Sequence, residues 1–266
     1  MNRLLIFTIG LLTLGSALAA PSPEPNDKQA LPPQAAIVRG VLVPVPREIF
    51  QTLDRFSHSN WQAVQRPELA DWRPPGTQAQ NALLLGALIA EGFVAVEARD
   101  TVETKNLGRA LRTLARGLGI ERAVLRRSRS IIDHSESGDW TAVRREWDEL
   151  LPDVQNGMDR IRSEQLAHLV SLGGWLRGTE AFTALLTQSY SEENARLLRQ
   201  PAFLDYFEAQ FAKMNETVRN DSTVRKMSDG LREVRAALSS GNGKIPPKKV
   251  QEIAGIATGL IKNLNR

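Results

Sequence analysis

The chain has 266 residues, of which 42% are hydrophobic and none is cysteine, and its formal net charge is +4. This apolar content is enough for a sizeable core, in one large or two small domains. The lack of cysteine excludes disulfides, thiolate metal sites and cysteine nucleophiles.

The N-terminus has the three-part pattern of a secretory signal peptide. A positive start with Arg3 precedes an apolar run from Leu4 to Leu14, and Ala17-Leu18-Ala19 is the small-x-small pattern that signal peptidases cleave. The run is too short for a stable membrane span, although an uncleaved anchor is the alternative. We expect residues 1–19 to be removed and the protein to be exported to the periplasm or the extracellular space. An exported chain without disulfides must be stabilised by packing alone, which favours a bacterial cell-envelope protein.

A proline-rich stretch follows the signal. Seven of the fourteen prolines lie between Pro21 and Pro46, so residues 20–46 are predicted to form an extended, disordered leader. Residues 38–45 make a poor strand because of the prolines at 44 and 46. No other run alternates as a strand does, so no sheet is predicted.

From residue 47 onward the hydrophobic spacing is that of helices. One helix begins after Pro46, and the others are predicted at about 77–99, 107–118, 120–135, 140–151, 152–189, 201–220, 221–239 and 246–264, with a short one starting at Ser191. Residues 83–96 are apolar on every side except at Glu91, which is typical of a buried central helix. We predict an all-α fold: an antiparallel multi-helix bundle over residues 47–212 and a C-terminal helical hairpin over residues 213–266.

Charge is distributed unevenly along the helices. Residues 99–129 carry nine Lys/Arg against three Asp/Glu, residues 130–199 seven against twelve, and residues 213–266 eleven against five. One interpretation is a basic surface for an anionic partner such as lipid head groups. The alternative is solvated helix faces, with the basic ones docked on the acidic middle. Nucleic acid is not expected as a partner, because no basic motif is interleaved with aromatic residues.

The sequence contains no short motif for chemistry. It lacks the zinc-protease, serine-hydrolase, Walker-loop and helical di-iron patterns, so we predict no catalytic residue, cofactor or metal. Glu164 and His168 are spaced i, i+4, but two ligands do not make a metal site.

Polar side chains inside two apolar helices form the candidate site. Glu91 is a lone carboxylate in an apolar helix, so it needs a partner or a raised pKa. The helix over residues 169–182 contains three glycines within six residues, each disfavoured by up to about 1 kcal/mol relative to Ala. Close approach to the small residues near Gly86 is the simplest explanation. We predict that the two helices pack face to face and that Glu91 pairs with Arg177. The candidate polar core or pocket residues are Glu91, Glu97, His168, Trp175, Arg177 and Glu180.

Three functions remain open at this point. The leading one is a non-enzymatic binding or scaffolding module of the bacterial envelope, with another envelope protein or an anionic surface as its partner. A carrier of a small molecule or lipid, with a pocket near Glu91, Trp175 and Arg177, is an alternative. A helical enzyme using dispersed carboxylates such as Glu91 and Glu97 is another. A carrier should show a closed apolar cavity of several hundred Å³, an enzyme a cleft where two or more titratable groups converge, and a scaffold neither of these but an exposed apolar patch.

Overall fold

The computed structural model describes residues 35–38, 40–44, 46–71, 76–239 and 244–264. The predicted signal peptide, residues 1–19, and most of the predicted leader lie outside these residues. Within them the fold is mostly helical, which confirms the all-α class and the helical bundle. The elements are β1 (Ala35–Val38), β2 (Val41–Pro44), α1 (Pro46–Leu53), α2 (Gln78–Ala98), α3 (Thr101–Gly117), α4 (Glu121–Glu136), α5 (Trp140–Arg160), α6 (Glu164–Gln188), α7 (Glu192–Ala195), α8 (Pro201–Lys213), α9 (Glu216–Arg219), α10 (Ser222–Ser239) and α11 (Pro247–Leu264).

Helix α2 lies at the centre of the fold, as its sequence predicts. The Thr77 hydroxyl caps its start by accepting a hydrogen bond from the Gln80 N–H, and the left-handed Arg99 (φ 51°) ends it. Its most extensive contact is with α6, and it also packs on α3 and α5. Among the described helices, α2 is also the one long and apolar enough to cross a membrane, but nearly all of it is buried inside the bundle.

The contact between α2 and α6 depends on backbone approaching backbone. A Cβ atom at Gly86 would lie 1.9 Å from the Val170 carbonyl oxygen, and one at Gly173 would lie 1.9 Å from the Leu83 carbonyl oxygen. No side chain fits at either position, which confirms the predicted face-to-face packing. Gly178 differs, because a Cβ atom there would meet nothing within 4 Å.

The prediction of no sheet is wrong for one short segment. Strands β1 and β2 pair antiparallel, with Ile37 opposite Leu42, and Gly40 turns the chain at φ +84°. Pro44 is the last residue of β2, and both strands of this two-stranded sheet are edge strands, where proline is tolerated. Side chains from the bundle satisfy the open edge: the Leu42 N–H donates to the Tyr206 hydroxyl at 2.8 Å, and the Ser171 hydroxyl donates to the Leu42 carbonyl.

The predicted helix boundary at Pro152 is also wrong, since α5 continues through it to Arg160. Pro152 is exposed, while Trp147, Leu151 and Val154 around it are buried. Packing of this stripe outweighs the cost of an interior proline, about 3 kcal/mol. The chain breaks instead after α5, where Arg162 is left-handed (φ 51°), and α6 follows as a separate helix.

The last two long helices belong to the same hydrophobic core as α2. Helices α10 and α11 pack on each other, and α11 also packs along α6. Met227 and Leu231 of α10 and Ile253 of α11 are fully buried in one cluster with the centre of α2.

Candidate functional site

The predicted pair of Glu91 and Arg177 is present at the heart of the fold. Both side chains are fully buried, and Arg177 Nε donates to Glu91 Oε2 at 2.7 Å. Burial raises the pKa of Glu91, while the facing guanidinium of Arg177 opposes that rise. The other carboxylate oxygen accepts the backbone N–H of Arg66 at 2.7 Å.

The pair extends into a buried network that joins four parts of the chain. Arg177 also donates to the Val64 carbonyl at 2.7 Å, and its Nη1 lies 3.4 Å from Glu180 Oε2. Glu180 Oε1 in turn accepts from Arg66 Nε at 2.9 Å and from the Thr258 hydroxyl of α11 at 3.0 Å. Two carboxylates therefore face two guanidiniums, so the network balances its own charge. These contacts tie α2, α6, α11 and the segment around residues 64–66 together, which is a structural role.

Two further predicted residues have separate partners. Glu97 lies 3.4 Å from Arg144 of α5, and burial raises its pKa. His168 Nδ1 is 2.5 Å from the Tyr206 hydroxyl, and burial lowers the pKa of this histidine. Burial also raises the pKa of Tyr206 to about 12, so this phenol stays protonated where it holds the Leu42 N–H. His168 therefore helps to hold the β-hairpin formed by β1 and β2, through Tyr206, and does not reach Glu91.

The sequence reasoning missed one buried carboxyl, Glu103 in the first turn of α3. Burial is the main cause that raises its pKa to about 7, and the nearby charge of Glu91 adds to the rise. Glu103 is 4% exposed, and its Oε1 has no hydrogen-bond partner among the described residues. Glu103 lies just before the helix predicted over residues 107–118, so the hydrophobic spacing did not mark it as buried.

Trp175, the sixth predicted residue, borders a large apolar groove. Of the three residues around which the alternative pocket was predicted, Trp175 lines this groove, whereas Glu91 and Arg177 do not. The groove has a volume of about 440 Å³. Its floor is formed by α2 and α6, including Gly86, Ala90, Trp175 and Gly178. Helices α1 and α5 form one wall, and the turn Arg196–Leu198 with Phe203 of α8 forms the other. Glu91, Glu97, His168, Arg177 and Glu180 are not among the residues that line it.

The indole of Trp175 in the floor of the groove is held in place by a hydrogen bond. Trp175 Nε1 donates to Gln200 Oε1 at 2.8 Å, which satisfies the polar tip of the indole and leaves the ring against the groove. Its ring lies 5.7 Å from that of Phe207 and 6.5 Å from that of Phe203. The groove therefore has a preformed apolar surface with few free polar groups, which suits an apolar ligand.

Comparison with protein-family models, with curated proteins and with solved structures finds no match for this chain. The geometry of the groove and the chemistry of its lining are therefore the basis for assigning a function.

Proposed function

We propose that this protein is an exported carrier that binds a lipid-like molecule with one long apolar chain in the groove beside Trp175. The observation that supports the proposal is the groove itself, which is apolar and has a volume of about 440 Å³, the size typical of small-molecule sites. It is partly open to solvent, unlike the closed cavity predicted for a carrier. The export part of the proposal rests on the N-terminal signal pattern.

The volume of the groove favours a single chain. A dry cavity of about 150 Å³ holds benzene, which is roughly 25 Å³ for each carbon. On that scale, 440 Å³ accommodates on the order of 18 carbons. One acyl chain fits this space, and two do not.

The shape of the groove favours an extended chain. Its lining follows α6 from Ala167 to Phe182, a path of roughly 22 Å at the rise of an α-helix. One leaflet of a bilayer, about half of a 30 Å hydrocarbon core, spans roughly 15 Å. An acyl chain of ordinary membrane length therefore fits along α6 without folding back.

The two other functions receive less support. No Asp, Glu or His is found among the described residues that line the groove, so titratable groups do not converge there as an enzyme requires. The large hydrophobic side chains exposed in the described part of the chain are Ile37, Val102 and Tyr190. They lie on β1, on α3 and in the link between α6 and α7, and do not suggest the contiguous patch of a scaffold.

The test uses N-phenyl-1-naphthylamine, a neutral fluorophore that brightens in apolar sites, and 1-hexadecanol as a competitor with one long chain. We expect saturable binding of the probe at one site and its displacement by the alcohol. Gly178→Leu places a side chain into the groove. It should weaken the binding of the probe and of the alcohol by at least about tenfold each.

The matched control is Gly255→Leu on α11. A Cβ atom at Gly255 also meets nothing within 4 Å, and this exposed residue does not line the groove. Binding should be unchanged in this variant. The proposal is refuted if the folded protein binds neither compound, or if both variants bind as the wild type does.

A further inference from the structure

We infer that the molecule carried in the groove is a long-chain carboxylate, with its head group held by Arg55 and Arg199. This inference rests on the proposed function and adds the polarity and the orientation of the ligand.

The groove has an apolar end beneath the β-hairpin formed by β1 and β2. Leu42 of β2, Val154 and Met158 of α5 and Ala167 of α6 line this end. Two polar residues also line the groove here. The Ser171 hydroxyl already donates to the Leu42 and Ala167 carbonyls, and Gln155 Nε2 donates to Asp159 Oδ1 at 3.2 Å. The end is therefore mainly apolar and carries no charged side chain among its described lining residues, which suits a methyl terminus.

The opposite end of the groove is basic. Arg55 is next to Phe56, whose ring lies 5.5 Å from that of Phe182 near the C-terminal end of α6. On the other wall, Arg199 precedes Gln200, which is bonded to Trp175. Both arginines line the groove, and their chain neighbours contact α6 at Phe182 and Trp175, so we place the head group in this half of the groove.

The charge of these arginines is not compensated locally. Both are exposed, and neither forms an ion pair with an acidic side chain within the described residues. A third arginine of the lining, Arg196, already binds Glu192 at 3.2 Å. The lining contributes no carboxylate of its own to the described groove, so this end is positively charged.

A carboxylate on a long chain complements both ends at once. Guanidinium groups bind carboxylates through two parallel hydrogen bonds, and they do so at the solvent-exposed end where the head group keeps part of its hydration. A neutral chain fills the same volume without this contact. The arginines therefore select the head group, and the apolar end selects the chain.

The experiment compares palmitate with 1-hexadecanol, which has the same number of carbons and no charge, by displacement of the fluorophore at pH 8. We expect palmitate to bind about tenfold more tightly at low salt, from two exposed charge pairs of up to about fivefold each. The advantage should shrink at high ionic strength, because exposed charges are screened.

The double variant Arg55→Gln/Arg199→Gln should lose most of the advantage of palmitate and keep the affinity for 1-hexadecanol. Retained binding of the alcohol shows that the variant is folded. Arg219→Gln, at an exposed arginine of α9 outside the lining, should change neither affinity. Equal affinities for the two compounds, or a double variant that keeps the preference, would overturn the inference and leave the carrier proposal standing. If the folded protein binds neither compound, both the inference and the carrier proposal are overturned.

Discussion

The two glycines at positions 173 and 178 of α6 provide a direct test of how this helix packs. They are five residues apart on one helix, and the same substitution to alanine should change stability in opposite directions. A Cβ atom at Gly178 meets nothing within 4 Å, whereas one at Gly173 lies 1.9 Å from the Leu83 carbonyl oxygen.

The expected magnitudes follow from these distances. Alanine stabilises a helix interior by about 0.5–1 kcal/mol relative to glycine, and Gly178→Ala should gain that amount. Gly173→Ala gains the same helix stabilisation. However, α2 and α6 must then separate by more than about 1 Å to admit the methyl group. Overpacking of this kind costs about 1–3 kcal/mol or more, so the net effect is a loss. The loss grows if the bond between Glu91 and Arg177, which spans the same two helices, is stretched.

Urea unfolding followed by far-UV circular dichroism gives both free energies under one set of conditions. Gly86→Ala is the internal check, because its Cβ atom would lie 1.9 Å from the Val170 carbonyl oxygen across the same contact. It should destabilise as Gly173→Ala does. Should both substitutions stabilise the protein as much as Gly178→Ala, the helices do not approach as closely as described.

Three further predictions concern the buried polar groups. Arg177→Met leaves Glu91 buried without its cation and should cost about 3–5 kcal/mol of unfolding free energy in urea, whereas a loss below about 1 kcal/mol would contradict the buried pair. Glu103 has its pKa raised from 4.5 to about 7, so the folded protein binds more protons than the unfolded chain between these pH values, and stability falls as pH rises through that range. Glu103→Gln should remove this fall, at most about 3 kcal/mol, and be more stable than the wild type at pH 8. Urea midpoints of the wild type and the variant at pH 4 and pH 8 check it, and an equal change with pH in the two proteins would contradict it. Tyr206→Phe removes the acceptor of the Leu42 N–H and should cost about 1 kcal/mol, with faster hydrogen exchange at that amide as the measurement and unchanged exchange as the contrary result.

The sequence predicted the centre of the molecule well, for a physical reason. A helix that is apolar on every side must be surrounded, and a carboxylate inside it needs a cation nearby. Arg177 is the arginine of the other apolar helix, so few other cations could pair with Glu91. The glycines near residue 173 then indicated how closely the two helices approach.

The full lining of the groove and the β-hairpin formed by β1 and β2 could not be predicted in the same way. The groove is enclosed by residues from distant helices, so no single stretch of sequence has a pattern that reveals it. Leu42 reaches its place because Tyr206, far along the chain, supplies a hydrogen-bond acceptor. Pro152 was misjudged because local propensity indicates a helix boundary, while the buried stripe on either side of it continues the helix. The network around Glu91 likewise includes Arg66 and Thr258, which come from a loop and from the last helix.

The groove beside Trp175 is also a region where side chains are not packed against other protein atoms on one side. Atoms that line an empty apolar space lack contact partners on one side, and a ligand supplies them. A molecule that binds only the folded state stabilises it by about 2.7 kcal/mol when its free concentration is a hundred times its Kd. On the proposed carrier function, the protein with bound ligand should therefore resist heat and proteolysis better than the ligand-free protein. Supply of the ligand would then set the lifetime of a chain that has no disulfide to hold it together.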